Sequence, residues 1–75
     1  MAVDISTMNE WMWGWFDGAA AAQNGGIVRR AVDDVHERGD IDAAIAEARN
    51  RGWHLIETGD QYVLLCNDGA MQVLA

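Results

Sequence analysis

The chain has no proline and no lysine, and among its 75 residues it has a single cysteine and a single serine. Cys66 has no partner for an internal disulfide, which fits a reducing compartment and favours a cytoplasmic protein. Ser6 has no glycine-flanked elbow around it, so it does not predict a nucleophile. No apolar run approaches the ~20 residues of a membrane span, and the stretch around Asp4 lacks the basic region of a secretory signal.

Positive charge is also scarce. Five arginines face twelve acidic residues, which gives a formal net charge of −7. This balance argues against direct binding to nucleic acid or to an anionic membrane, because both carry negative charge. It favours attraction to a basic protein surface.

The short length predicts one domain, residues 1–75, with residues 1–6 loose. Hydrophobic residues make up 51 % of the chain and four are tryptophans, a high density for a small core. Cores of this size commonly gain support from a partner or a second copy, so a homodimer stays open.

Three helices are predicted in the first two thirds of the chain. Thr7 and Glu10 form a capping-box pattern for a helix that ends near residue 24, with an apolar stripe at helical spacing. A second helix is predicted over residues 27–38, with Val28, Ala31, Val32 and Val35 facing inward. Asp40 then caps a third helix, which ends at Gly52. Its predicted inner face consists of Ile41, Ala44, Ile45 and Ala48.

The remainder predicts strands. Residues 53–58 and 61–67 alternate around the two-residue turn Gly59-Asp60, and residues 70–74 follow a second turn at Asp68-Gly69. The predicted fold class is therefore α+β, with three N-terminal helices followed by a three-stranded antiparallel β-meander.

No catalytic or metal constellation emerges from the sequence. Cys66 follows an apolar run, where a lone cysteine is usually a small buried hydrophobe. His36 and His54 are expected to be solvated, and with Cys66 they show none of the close ligand pairs of a zinc site. We expect a protein that is not an enzyme and has no cofactor or bound metal.

Two surfaces are candidates for binding a protein partner. Trp13 points away from the buried stripe of the first helix and borders Asp17, and the nearby Gly14 and Gly18 suggest close packing. The alternative is that Trp13 belongs to the core. The second surface is an acidic face formed by Asp33, Asp34 and Glu37, with Asp40 just beyond. Helical pairing with Arg29, Arg30 and Arg38 would neutralise part of it, and an ordinary solvated face is its alternative.

Residues 41–65 resemble the second half of a winged helix-turn-helix domain. Ile41, Ile45 and Ala48 stand at the inner positions of its recognition helix, which ends at Gly52. The wing would follow as two strands around Gly59-Asp60. Its outward positions, however, carry Asp40, Asp42 and Glu47, where a DNA reader has basic or amide side chains. The resemblance therefore implies a protein-interaction or regulatory domain of a phage or bacterial operon.

In size, charge and lack of catalytic residues the whole chain resembles the anti-CRISPR proteins of phages and mobile elements. That resemblance implies an inhibitor that binds the basic channel of a CRISPR effector complex. It would block nucleic-acid access sterically or by mimicking DNA with carboxylates.

Overall fold

The computed structural model describes residues 8–75. The elements, in chain order, are α1 (Glu10–Trp13), a π-helical segment (Gly14–Gly18), α2 (Ala20–Gln23), β1 (Ile27–Ala31), α3 (Val32–Arg38), α4 (Ile41–Arg51), β2 (His54–Thr58) and β3 (Gln61–Leu65). The predictions for residues 1–6 and for Thr7 as a cap lie outside the described residues.

The three strands form one antiparallel sheet in the order β1-β3-β2. Val28, Leu64 and Leu55 lie side by side across it and face the helices. The turn between β2 and β3 begins with Gly59 at φ 59°, a conformation that glycine adopts without steric cost. The α+β class and the three-stranded antiparallel sheet are confirmed.

The third strand, however, is not the predicted one. Residues 70–74 form no strand; the position beside β3 is filled instead by β1, from the middle of the chain. An alternating pattern shows that a segment can be a strand but not which neighbour will pair with it.

The predicted helix over residues 27–38 is wrong in its first half. Only Val32–Arg38 is helical, and Ile27–Ala31 is strand β1. Val28 and Val35 are nevertheless buried as expected. Their separation of seven residues places both on one face of a continuous helix, and the observed strand followed by a helix also turns both towards the core. Ala31, predicted to be buried, is exposed.

The first helix is shorter and less regular than predicted. It begins at Glu10, where the Asn9 side chain accepts a hydrogen bond from Met12 N at 2.9 Å. The π-helical segment follows, and Ala19 is extended. The wider π turn explains how two adjacent residues, Trp15 and Phe16, are both fully buried.

The third predicted helix is confirmed as α4. The Asp40 carboxylate accepts from Asp42 N at 2.9 Å and from Ala43 N at 3.4 Å, and Gly52 ends the helix at φ 71°. Ala44 and Ala48 are buried as predicted. Ile45 is 36 % exposed instead of inward-facing, and Ala43 is buried in its stead.

Candidate protein-binding surface

The acidic face lies on α3. Buried Val35 holds one side of this helix against the core, which leaves Asp33, Asp34 and Glu37 exposed. Asp33 and Asp34 occupy the first turn, where the partial positive charge of the helix end favours carboxylates. Both side chains remain in solvent. They can therefore stabilise the helix end and still be available to a partner.

The predicted neutralisation of this face by arginines does not occur. Arg29 and Arg30 lie in β1, so they have no helical i,i+4 relation to Asp33 and Asp34, and Arg30 Nη1 instead donates to the Arg29 carbonyl at 2.7 Å. Between residues 8 and 75, both ion pairs involve Arg51. The carboxylates of α3 therefore form no ion pair with any described residue.

Asp40 differs from the three acids of α3. It is half-buried, and one carboxylate oxygen is engaged as the cap of α4. Asp42, two residues further on, is exposed in the first turn of α4. The sequence prediction included Asp40 in the binding face and left out Asp42, although the geometry makes Asp42 the more available carboxylate.

Asp17 and Trp13 meet at an arginine that the sequence did not single out. Arg51, at the end of α4, donates to Asp17 through two bonds, Nη1 to Oδ1 at 2.7 Å and Nη2 to Oδ2 at 3.0 Å. Its Nε donates to Glu47 Oε2 at 2.7 Å. We call this group of contacts, with the surrounding aromatic rings, the Arg51 joint.

Three aromatic rings surround the Arg51 guanidinium. Its central carbon lies 4.8 Å from the ring centroid of Trp53, 5.3 Å from that of Phe16 and 5.8 Å from that of Trp13. All three are within the ~6 Å over which a cation is attracted to an aromatic face. The joint thus ties the π-helical segment to α4 and to the start of β2.

Electrostatics in the joint follow from this geometry. The hydrogen bonds from Arg51 hold the pKa of Asp17 below its usual value. Burial opposes this shift, and the positive charge of Arg51 adds a smaller lowering effect. The hydrogen bond to Asp17 is the largest cause of a raised pKa at Arg51, and the bond to Glu47 raises it further. Asp17 is therefore ionised throughout the neutral range and its charge is matched by Arg51.

Trp13 is 41 % exposed, so its ring is open to solvent as well as to Arg51. The suggestion that Gly14 and Gly18 pack closely against the protein's own sheet is wrong. Beyond their own helical segment, a methyl group on either would meet no atom of residues 8–75 within 4 Å. No hydrogen bond or ion pair among the described residues joins Trp13 or Asp17 to the acidic face of α3.

The cysteine and the two histidines make contacts within the fold. Burial raises the pKa of the Cys66 thiol, which makes it a poor nucleophile. A hydrogen bond of 3.0 Å joins His36 Nε2 and the Tyr62 hydroxyl, and His54 Nε2 donates to the Gly69 carbonyl. Within residues 8–75, no three His, Cys, Asp or Glu side chains are grouped as metal ligands would be.

No helix in the described part of the chain is both long enough and apolar enough to cross a membrane. Comparison of the chain with protein-family models, with curated proteins and with solved structures finds no match.

Proposed function

We propose that this chain is a non-enzymatic inhibitor that binds a basic surface of another protein, in the manner of anti-CRISPR proteins. The single observation that carries the proposal is the state of the α3 carboxylates. Asp33, Asp34 and Glu37 are exposed and form no ion pair with any described residue, although the chain carries five arginines.

The size of the charge supports a role in association. A net charge of −7 on 75 residues attracts a positively charged cleft over distances near the Debye length, about 8 Å at physiological salt. Carboxylates in such a cleft occupy the positions that phosphates of nucleic acid would occupy. Bound there, the chain would exclude the nucleic acid sterically and electrostatically.

Competition with DNA on purified CRISPR effector complexes tests the proposal. Fluorescence anisotropy of labelled target DNA would measure its release as the chain is added. We expect release by at least one effector complex, with an association rate that falls as salt rises. If no effector complex loses DNA, the anti-CRISPR-like function is wrong, and salt-insensitive release would exclude the charge mechanism.

A winged-helix-like interaction domain is the second candidate, and the order of elements favours it. From α2 onward the chain runs helix, strand, helix, helix, strand, strand, with β1 paired to β3 and β2 at the edge. This order resembles that of winged-helix domains, with α4 in the place of the recognition helix and β2–β3 as the wing.

Charge separates a protein-binding winged helix from a DNA-binding one. The exposed positions of α4 include Asp42 and Arg49, and the wing carries Glu57 and Asp60 at or near its tip. We expect no binding of labelled duplex DNA at micromolar protein and physiological salt. Binding under those conditions would contradict both the basic-surface proposal and the protein-interaction form of the winged helix.

A further inference from the structure

The outer edge of β2 offers unpaired backbone groups. Cys66 N donates to the Gly26 carbonyl at 2.9 Å. Successive residues of the central strand β3 bond alternately to β1 and to β2, so this one bond shows which residues of β3 bond to each neighbour. By the same alternation, the N–H and C=O groups of Leu55 and Glu57 point away from β3. No backbone or side-chain group of residues 8–75 outside the sheet bonds to them. With respect to residues 8–75, β2 is therefore an open edge that can accept another strand.

A groove with a mixed apolar and polar lining runs beside this edge, between β2 and α4. It contains two hollows of about 180 and 360 Å³. Its apolar walls are formed by Ile41, Ile45, Ala48, Trp53 and Leu55. We call it the α4–β2 groove. A strand added to β2 would direct every second side chain into it.

The same chain contains a segment suited to that groove. Residues 70–74 alternate like a strand and carry no charged side chain, yet they form no strand in their own chain. Met71 is 45 % exposed, Val73 80 % and Leu74 86 %. Met71 and Val73 are two residues apart, so in a strand both would point to the same side.

We propose that residues 70–74 of one copy add to the β2 edge of a second copy, with Met71 and Val73 in the α4–β2 groove, and that the exchange is reciprocal. A two-fold axis between the copies makes the two contacts identical, so each tail pairs with the β2 edge of the other copy and neither edge is left open. Reciprocity also doubles the surface area that the two copies bury against each other, which favours a specific interface.

A second copy suits the edge better than the chain's own tail does. His54, the first residue of β2, donates to the Gly69 carbonyl, so a chain's own tail starts at the beginning of β2. Pairing from there would run parallel to β2. A tail from a second copy can run antiparallel, which gives the more stable ladder.

Charge permits this contact in spite of the acidic chain. The tail has no charged side chain, and Glu57 and Arg49, the charged residues that line the hollows, have opposite signs. The remaining repulsion acts between whole copies, each at −7, and salt screens it. Dimerisation should therefore strengthen as salt rises, whereas binding to a basic partner should weaken.

Sedimentation equilibrium of the full chain and two single variants tests the proposal. We expect a monomer–dimer equilibrium in the micromolar to millimolar range. Val73→Asp should raise the dimer dissociation constant at least about tenfold, equivalent to about 1.4 kcal/mol. Gln72→Asp adds the same charge one position away, on the opposite side of the strand, and should change it less than about threefold.

Neither variant alters the folded core, because both side chains lie in the exposed tail. A chain that stays monomeric at millimolar concentration would overturn the proposal. So would a dimer that Val73→Asp and Gln72→Asp weaken equally, since charge alone would then explain both effects.

Mixing tests the contact between tail and groove, and hydrogen exchange tests the edge. A mixture of Val73→Asp and Ile45→Asp chains retains one intact tail and groove, so it should contain more dimer than either variant alone. The amides of Leu55 and Glu57 should exchange more slowly in the native dimer than at monomeric dilution. Unchanged exchange at these two amides would overturn strand addition at β2 even if Ile45→Asp failed to fold. None of these outcomes bears on binding to a basic partner, so the two proposals fail separately.

Discussion

Asp17 and Asp33 are both exposed aspartates in the helical half of the chain, yet their surroundings give them different roles. Asp17 receives two hydrogen bonds from Arg51, which also lies against three aromatic rings. Asp33 forms no ion pair with a described residue. It lies on the exposed side of α3, opposite the buried Val35. The Arg51 joint therefore uses acidic charge to connect elements, whereas the α3 face leaves it exposed.

This difference depends on where the few arginines lie. Arg29 and Arg30 belong to β1, and the neighbouring aspartates of α3 gain no helical pairing from them. Arg51 lies at the end of α4, next to the π-helical segment. Arg51 reaches Asp17 only through the tertiary structure. The position of this arginine therefore decides which carboxylates are paired with a positive charge.

The largest effect on stability is expected at Trp15, a core tryptophan whose ring packs edge-on against the Phe16 ring of the joint. Trp15 is fully buried and its Nε1 donates to the Val28 carbonyl at 3.1 Å, so Trp15→Ala should cost about 3–5 kcal/mol of unfolding free energy. Trp13 is 41 % exposed and its main polar contact is with Arg51, so Trp13→Ala should cost about 1 kcal/mol or less. Urea denaturation measures both. Equal losses would mean that Trp13 belongs to the core and is not available as a binding anchor.

Arg51 should have the next largest effect. Arg51→Ala removes the charge-assisted bonds to Asp17 and Glu47 together with the aromatic contacts, and should cost about 1–3 kcal/mol. Arg49→Ala, two residues away on the exposed side of α4, is the matched control and should change stability by less than about 0.5 kcal/mol. Similar losses in the two variants would show that Arg51 is not the connection between the elements.

Asp17 should have a smaller effect, and one that depends on pH. Its side chain is 56 % exposed, so Asp17→Asn should cost only about 0.2–1 kcal/mol at neutral pH. The pKa of Asp17 is lower in the folded chain than in the unfolded chain, so its contribution is fully present above the ordinary pKa of aspartate. It should disappear as the pH falls through the lowered pKa. Thermal melts of both chains should therefore converge in acid, and a difference that persisted there would exclude ionisation of Asp17 as its cause.

The parts of the fold that the sequence predicts well are those specified by near neighbours. Asp40 and Gly52 mark the ends of α4 through local caps, and Gly59-Asp60 specifies the β2–β3 turn. Strand β1 depends on a distant partner, since Val28 pairs with Leu64, and the spacing of its valines also suited a helix. Its β-branched start after Gly25-Gly26 was the available signal for a strand.

The candidate surfaces follow the same division. The exposure of Asp33, Asp34 and Glu37 follows from one short helix with a buried valine, and the sequence was sufficient for it. The pairing of Asp17 with Arg51 spans 34 residues, and no periodicity reports such a contact. The role of these residues in binding a partner stays a prediction.

Neutralising the α3 face should have the smallest effect on stability and a large one on association. The triple change Asp33→Asn, Asp34→Asn and Glu37→Gln removes a favourable interaction with the helix end, about 0.3–1 kcal/mol per charge at low salt, but also relieves self-repulsion in a chain at −7. Because the two effects oppose each other, the net change in unfolding free energy should stay within about 0.5 kcal/mol. Association with a basic partner should nevertheless slow markedly, since steering depends on these charges.

The matched control, Asp17→Asn with Glu57→Gln and Asp60→Asn, removes equal charge, yet it should lose more stability because Asp17 is paired with Arg51. Stopped-flow association and denaturant titration of both triple variants separate the outcomes. If only the control slows association, carboxylates outside α3 make the contact; if neither does, the apolar surface around Trp13 becomes the better candidate.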